Sequence, residues 1–374
     1  MKKICSVGTL LLLLLLPWGT HAQMQPDVET FAKAKTVSVI DLGIEDLPGI
    51  GTPSRSQTLT AVVLDGLDKG KTVEFRNDFT QLKPGDVFYL RHLVSPTDGS
   101  EFYSVADPYR LPVLAIVALI FGLLIILFGG LQGIRGLLSL AGSLLLIFYV
   151  LLPGISAGYS PVFVSIGVSS LIIIAGSYIT HGFNRTTTAA VFGMISTIVV
   201  TGLAAWYVVI AAHLSGYSSE ESTYLHFQSN GTLDLVGVLL GGIMIGLLGV
   251  LYDIAIGQAV VVEELMSAGQ HLSKKEIYTK AIRIGREHIG ALVNTLAIAY
   301  VGVSLPLLLL LQHANAPFAY ILNGEVFATE VVRILIGSCG LILAVPITTF
   351  LATRMVRPRL PGEGTADSSH SHRH

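Results

Sequence analysis

From Leu111 onward, apolar stretches of membrane-spanning length follow one another along the chain. About 20 consecutive apolar residues cross a hydrocarbon core as a helix. The pattern predicts seven spans, at roughly 112–131, 135–153, 160–179, 188–212, 235–256, 289–311 and 330–353. Residues 24–110 read differently. Thr36–Leu42, Thr58–Leu64, Lys71–Phe75, Asp86–Leu90 and Glu101–Val105 are short runs rich in Val, Thr, Tyr and Phe. Turn signals separate them: Pro48-Gly49, Asp65-Gly66, and Lys83-Pro84-Gly85-Asp86, where Pro then Gly suits a type II turn. Five such runs predict a small β domain of OB-like or SH3-like kind. It would serve either as a folded cap on the membrane part or as a module for a ligand or partner.

The ends of the chain carry their own signals. Lys2 and Lys3, the run Leu10–Leu16 and Thr20-His21-Ala22 have the order of a secretory signal peptide over residues 1–22. The rival reading is an uncleaved anchor built on Ile4–Trp18. Either way residue 24 onward starts outside the cytosol, and no Cys follows in lipobox position. The membrane region then covers 111–354, and residues 355–374, rich in Gly, Ser and His, are expected to be a disordered cytoplasmic tail. His370, His372 and His374 on such a tail are incidental, and no metal or cofactor is expected.

Basic residues orient the spans, because Lys and Arg accumulate in cytoplasmic loops. With the β domain outside, Arg135, Arg185, the cluster Lys274, Lys275, Lys280, Arg283 and Arg286, and Arg354, Arg357 and Arg359 all fall inside. The loop with Glu220 and Glu221 falls outside. Within the 273–286 segment, Ser273 and Glu276 form a capping box, and Ile277, Ala281 and Ile284 share one stripe. That pattern predicts an amphipathic helix lying on the inner leaflet.

Composition agrees. The chain has 374 residues, 52% hydrophobic and 13% charged, with a mean hydropathy of +0.68; soluble domains carry about 25% charged residues. A net charge of −2 and the lack of a basic patch of nucleic-acid type exclude a nucleic-acid partner. The expected surroundings are the lipid bilayer and, as candidate partners, a second copy or another membrane protein. Two cysteines, Cys5 and Cys339, make neither a disulfide framework nor a zinc site.

The chemistry lies in polar residues within the spans. Asp253 stands inside Leu235–Val262, and an ionisable group at membrane depth is a functional candidate by default. Gly242, Gly246, Gly249, Asp253 and Gly257 fall on one helical face. Small residues on one face let a neighbouring helix approach, so Asp253 is expected to face protein. Gln258 follows it. Span six holds Asn294 beside Thr295, Ala299, Gly302 and Pro306. Span seven opens with Glu330 and Arg333, three residues apart and able to pair, and continues with Gly337, Gly340, Ala344 and Thr348. Asp253 and Asn294 both belong to the inner half, where a hydrogen bond between them is geometrically allowed. No basic partner shares the depth of Asp253, which leaves protonation as its route to neutrality and makes it a candidate for proton coupling.

Three stretches carry a family resemblance. They are Gly249-Val-Leu-Tyr-Asp253-Ile-Ala-Ile-Gly-Gln258-Ala, Gly285-Arg286-Glu287-His288-Ile289 with Asn294-Thr295-Leu296-Ala297, and Glu330-Val-Val-Arg333 with Gly337-Ser338-Cys339-Gly340. They resemble the YibE/F-like family of bacterial membrane proteins, from about the β domain to span seven. The chain departs from many relatives at Tyr252, where a second acidic residue is expected. The family implies an architecture rather than an activity. An Asp-bearing span, then Glu263-Glu264, a basic amphipathic helix and two more spans are also similar to the second half of a SecD/SecF-type export subunit, and the layout to the resistance-nodulation-division superfamily. That likeness implies an intramembrane Asp in proton coupling.

Three functions follow as expectations. One is a permease or proton-coupled export factor with Asp253 titrating and Asn294, Gln258, Glu330 and Arg333 as further candidates. Another is a non-transporting scaffold or sensor whose β domain binds a partner. The third, an intramembrane enzyme, is disfavoured, since HExxH and paired aspartates at protease-like positions are both missing.

Overall fold

The computed structural model of the chain describes residues 28–46, 53–96, 98–269, 271–314 and 316–358. The segment read as a signal peptide, the expected Pro48-Gly49 turn and the expected tail beyond Pro358 lie outside the described residues. The chain divides into two compact units, residues 1–121 and 122–374.

The first unit holds a five-stranded antiparallel sheet: β1 (Val28–Asp46), β2 (Pro53–Val63), β3 (Thr72–Asn77), β4 (Val87–Val94) and β5 (Glu101–Pro108). All five expected strands form, in the order β3-β2-β1-β4-β5. β1 is much longer than its apolar run. Register shifts between Thr36 and Ser38 and between Asp41 and Gly43 bend it, so that its first half pairs with β4 and its second half with β2. The two edge strands, β3 and β5, also approach one another, which curls the sheet toward the strand arrangement of an OB-type barrel. Lys71 spans that gap, donating to Tyr103 Oη at 2.8 Å, and Tyr103 donates to Glu101 at 2.6 Å. Alternation fixes the core: Leu59, Ala61 and Val63 of β2, Val73 and Phe75 of β3, and Phe88 and Leu90 of β4 are buried. The turn before β4 has the expected form, with Asp86 N donating to Lys83 O and Gly85 at φ 96°.

The helices are α1 (Leu111–Leu146), a π-helical turn (Ile147–Leu151), α2 (Leu152–Ser156), α3 (Pro161–His181), α4 (Arg185–Ala211), α5 (Glu220–Gln228), α6 (Leu235–Ala268), α7 (Lys274–Val303), α8 (Leu305–Gln312), α9 (Phe318–Asn323) and α10 (Glu325–Met355). Five apolar stretches are long enough to cross a membrane: Leu111–Ser156, α3, α4, α6 and α10. A sixth, α7 with α8, is bent by 66°; Ser304 and Pro306 lie at the bend. The first of the five is interrupted at Gly130, whose φ of 55° and ψ of −138° are not helical. A side chain at Gly133 would collide with the Ile125 carbonyl. Eight residues of straight helix span roughly 12 Å, so the chain doubles back at Gly129-Gly130.

The packed centre is formed by α4, α6 and α10, with α3 and α7 against it. Glycines make the approaches close. Gly193 of α4 leaves room for Thr348 of α10, Gly340 of α10 for Leu247 and Thr201, and Gly241 of α6 for Ser165 of α3. Helix α7 differs from the interfacial helix expected. Its capping box is present, with Ser273 N donating to Glu276 Oε2 at 2.8 Å and Glu276 N to Ser273 Oγ at 3.3 Å. Ile277 and Ala281 of its predicted stripe, however, are buried in the helical core, Ile284 is only partly buried, and the segment continues into the same helix as Asn294.

Candidate functional site

Asp253 lies in the middle of α6, about 27 Å along the axis from Leu235 at about 1.5 Å per residue. The helix packs by the face bearing Gly241, Met244, Leu248, Leu251, Ala255 and Ala259, all buried. Asp253 is on the other face. Gly242, Gly246, Gly249, Asp253, Gly257 and Val260 are all exposed. A side chain at Gly242, Gly249 or Gly257 would meet nothing within 4 Å, whereas one at Gly246 would collide with the Tyr300 hydroxyl of α7 at 2.6 Å. Within the chain, therefore, the glycine stripe does not seat a neighbour along its length, and Asp253 does not face protein as expected. The reason is physical: α6 carries small residues on two faces, and the packed centre uses the one with Gly241.

No hydrogen bond or ion pair of Asp253 occurs among the described residues, and no Lys or Arg nitrogen comes within 4.0 Å of it. Asn294 of α7 is likewise exposed and unbonded, so the Asp253–Asn294 hydrogen bond is not formed. Gly302, near the end of α7, has open space around it.

The neighbouring Tyr252 turns the opposite way from a second carboxylate's role: its hydroxyl donates to Gly176 O of α3 at 3.1 Å, and its ring lies 5.9 Å from that of His181. Gln258 is buried. Its amide nitrogen donates to Ala281 O of α7 at 2.9 Å and to Thr349 Oγ1 of α10 at 2.7 Å, and Thr349 in turn donates to Val345 O. A side chain at Gly285 would meet Gln258 Oε1 at 2.7 Å. Gln258 thus ties three helices together in the interior.

Glu330 and Arg333 form the expected pair, 2.7 Å apart and half-buried. The guanidinium also sits 6.0 Å from the centre of the Tyr300 ring, so α10 meets α7 through a charge pair and an aromatic face. Of the other small residues predicted to pack, Gly340 does so at 2.8 Å to Leu247 and Thr201, and Gly337 at 3.2 Å to Leu296.

The structure adds a polar feature that sequence reading missed. Ser165, Ser169 and Ser177 of α3, Thr201 of α4, and Thr329 and Thr348 of α10 are buried with hydroxyls that have no hydrogen-bond partner. Buried polar groups are normally paired. The three serines fall at i, i+4 and i+12, a helical spacing visible in the sequence although they carry no charge to draw attention.

A model of the family described as YibE/F-like protein matches residues 117–358. The chain belongs to that family. The match covers the helical region and leaves the β domain outside it. Comparison with curated proteins and with solved structures finds no match.

Proposed function

We propose that this chain is a seven-span protein of the cell membrane, with a signal peptide, an outside β domain and a cytoplasmic C-terminus, that acts as a permease or proton-coupled export factor. Seven spans follow if the stretch interrupted at Gly130 crosses twice and the bent pair α7–α8 once. The observation that supports transport most is Asp253, an unpartnered carboxylate in mid-helix on a face free of bulky side chains. A charge in that position is costly to keep unless it serves a proton or substrate. The buried, unpaired hydroxyls on α3, α4 and α10 support a polar route through the packed helices. Asp253 holds and releases the proton, while Gln258 and the Glu330–Arg333 pair hold α6, α7 and α10 together on the other side of α6.

The test is proton flux in liposomes holding the reconstituted protein under an imposed pH gradient. Asp253→Asn keeps shape and hydrogen bonding but cannot titrate, so it abolishes the flux while leaving insertion intact. Asp253→Glu retains part of it. Full gradient-dependent flux in the Asn variant would end the proton-coupling reading.

A second reading is favoured by the sheet. Phe31, Ile40, Ile44 and Phe102 are large apolar side chains exposed on its strands. On this reading the β domain binds a partner and the spans anchor it. Retention of a binding partner by Phe31→Ser and Ile44→Ser variants as well as by the wild type would remove that support.

A further inference from the structure

A cavity of about 860 Å3 opens where α4 begins, beside Ile256, Val260 and Glu263 of α6 and the residues that follow α10. Arg185 and Thr186, the first two residues of α4, line it together with His181 and Asn184 before the helix and Arg357 after α10. Asn184 caps the helix: its side chain accepts from Thr187 N at 2.7 Å and its carbonyl from Thr188 N at 3.0 Å. The backbone N–H groups of Arg185 and Thr186 have no helical carbonyl to reach, as at any helix start, and no other acceptor takes them among the described residues.

The Thr186 hydroxyl is a third donor. The residue is only 8% exposed, lines the cavity, and its hydroxyl makes no hydrogen bond among the described residues. It is not one of the hydroxyls sealed off from space, so it opens to the cavity. Arg185 and Arg357 form no ion pair within 4.0 Å among the described residues. One carboxylate, Glu263, also lines the wall, so two guanidinium groups face one acid. An adjoining cavity shares both arginines and adds Lys274 and Arg354. Thr187 and the apolar Ile256, Val260, Val356 and Pro358 complete the lining.

We propose that this cavity binds a phosphate group, held by the Arg185 and Thr186 N–H groups, the Thr186 hydroxyl and the two guanidinium groups. A helix start offers free N–H donors and about half a positive charge to an anion. Arginine adds paired donors matched to phosphate oxygens. The modest net positive charge suits a phosphate carrying one or two negative charges rather than a polyphosphate. The chemistry is common to an anionic lipid headgroup and to free phosphate. This inference is independent of proton coupling, because its readout is binding.

The experiment titrates detergent-purified full-length protein with inorganic phosphate, phosphatidylglycerol or phosphatidylcholine and follows the melting temperature. The wild type is stabilised by at least one of the first two and not by phosphatidylcholine. A response to phosphatidylglycerol alone assigns a lipid headgroup; a response to phosphate alone assigns a soluble ligand. Arg185→Gln and Arg357→Gln weaken the apparent affinity by about tenfold each, the usual effect of losing one charge-assisted hydrogen bond. Thr186→Val, close in shape, weakens it severalfold, and Lys280→Gln on the exposed side of α7 leaves it unchanged. Should the arginine variants fail to fold, Thr186→Val decides. Unchanged affinity in that variant, or no response of the wild type to either phosphate source, would overturn the proposal.

Discussion

Along β2, buried Leu59, Ala61 and Val63 alternate with the partly exposed Thr58, Thr60 and Val62, and one look at the pattern tells which side faces the core. Along α6 the same look misleads. Gly241 and Gly242 are neighbours of one residue type, yet Gly241 is pressed against Ser165 and Gly242 has open space around it. Water penalises an exposed apolar side chain, so along β2 the alternation of apolar with mainly polar residues separates inside from outside. Lipid tails are as apolar as leucine and impose no such penalty, so close packing decides which face of a membrane helix turns inward. That difference explains how a carboxylate on a glycine face ends up on the open side of α6.

The largest effect that would sharpen this contrast is expected in the sheet. Phe88 is fully buried, with Phe75 at 6.1 Å between ring centres. Phe88→Ala is expected to cost about 3–5 kcal/mol. Hydrogen exchange of the full-length protein would show lost protection in β1 and β4, with the helices unchanged. Retained protection would mean that the sheet core is not organised by alternation.

A smaller effect is expected inside the helical region. Gln258→Leu removes two interhelical hydrogen bonds and fills the same space with an apolar side chain. A loss of about 1–3 kcal/mol, read as a lower melting temperature in detergent, is expected from those bonds. An unchanged melting temperature would show that packing alone holds α6, α7 and α10 together.

Much of this was legible beforehand, for reasons that differ by region. The five strands, the Lys83–Asp86 turn, the Ser273–Glu276 box and the Glu330–Arg333 pair are local, and each is carried by residues close together in the chain. The reach of β1 was not legible, because its two register shifts interrupt the alternation that defines a strand. The packing face of α6 was not legible either: Gly237 and Gly241 lie on one side, Gly242, Gly246 and Gly249 on the other, and hydropathy ranks them equally. Gln258 read as chemistry, although its partners, Ala281 and Thr349, are 23 and 91 residues away. Arg185 read as an orientation signal alone, since the cavity it lines is assembled from α4, α6 and the end of α10.

The smallest expected effect concerns the exposed cluster that joins β3 to β5. The Tyr103 hydroxyl, and then Lys71, hold the Glu101 carboxyl below its usual range, and the Tyr103 bond pushes Lys71 up to about 12. A lowered carboxyl pKa stabilises the fold above its ordinary value of 4.5 and loses that effect as pH falls through the lowered value. A raised lysine pKa stabilises fully below 10.5 and fades as pH rises through about 12. Exchange protection of β5 should therefore weaken slightly at both extremes, and Tyr103→Phe should flatten both responses. A profile unchanged by that substitution would show the cluster to be incidental.

The two-face account of α6 is tested most directly by the melting temperatures of Gly241→Leu and Gly242→Leu, measured side by side in one detergent. The substitutions are identical in chemistry and adjacent in sequence. The account predicts a large drop for Gly241→Leu, where the new side chain meets Ser165, and a melting temperature within a degree or two of wild type for Gly242→Leu, since open-surface changes cost about 0.5 kcal/mol or less. Equal losses, or a larger loss at Gly242, would mean that the Asp253 face is the packed one.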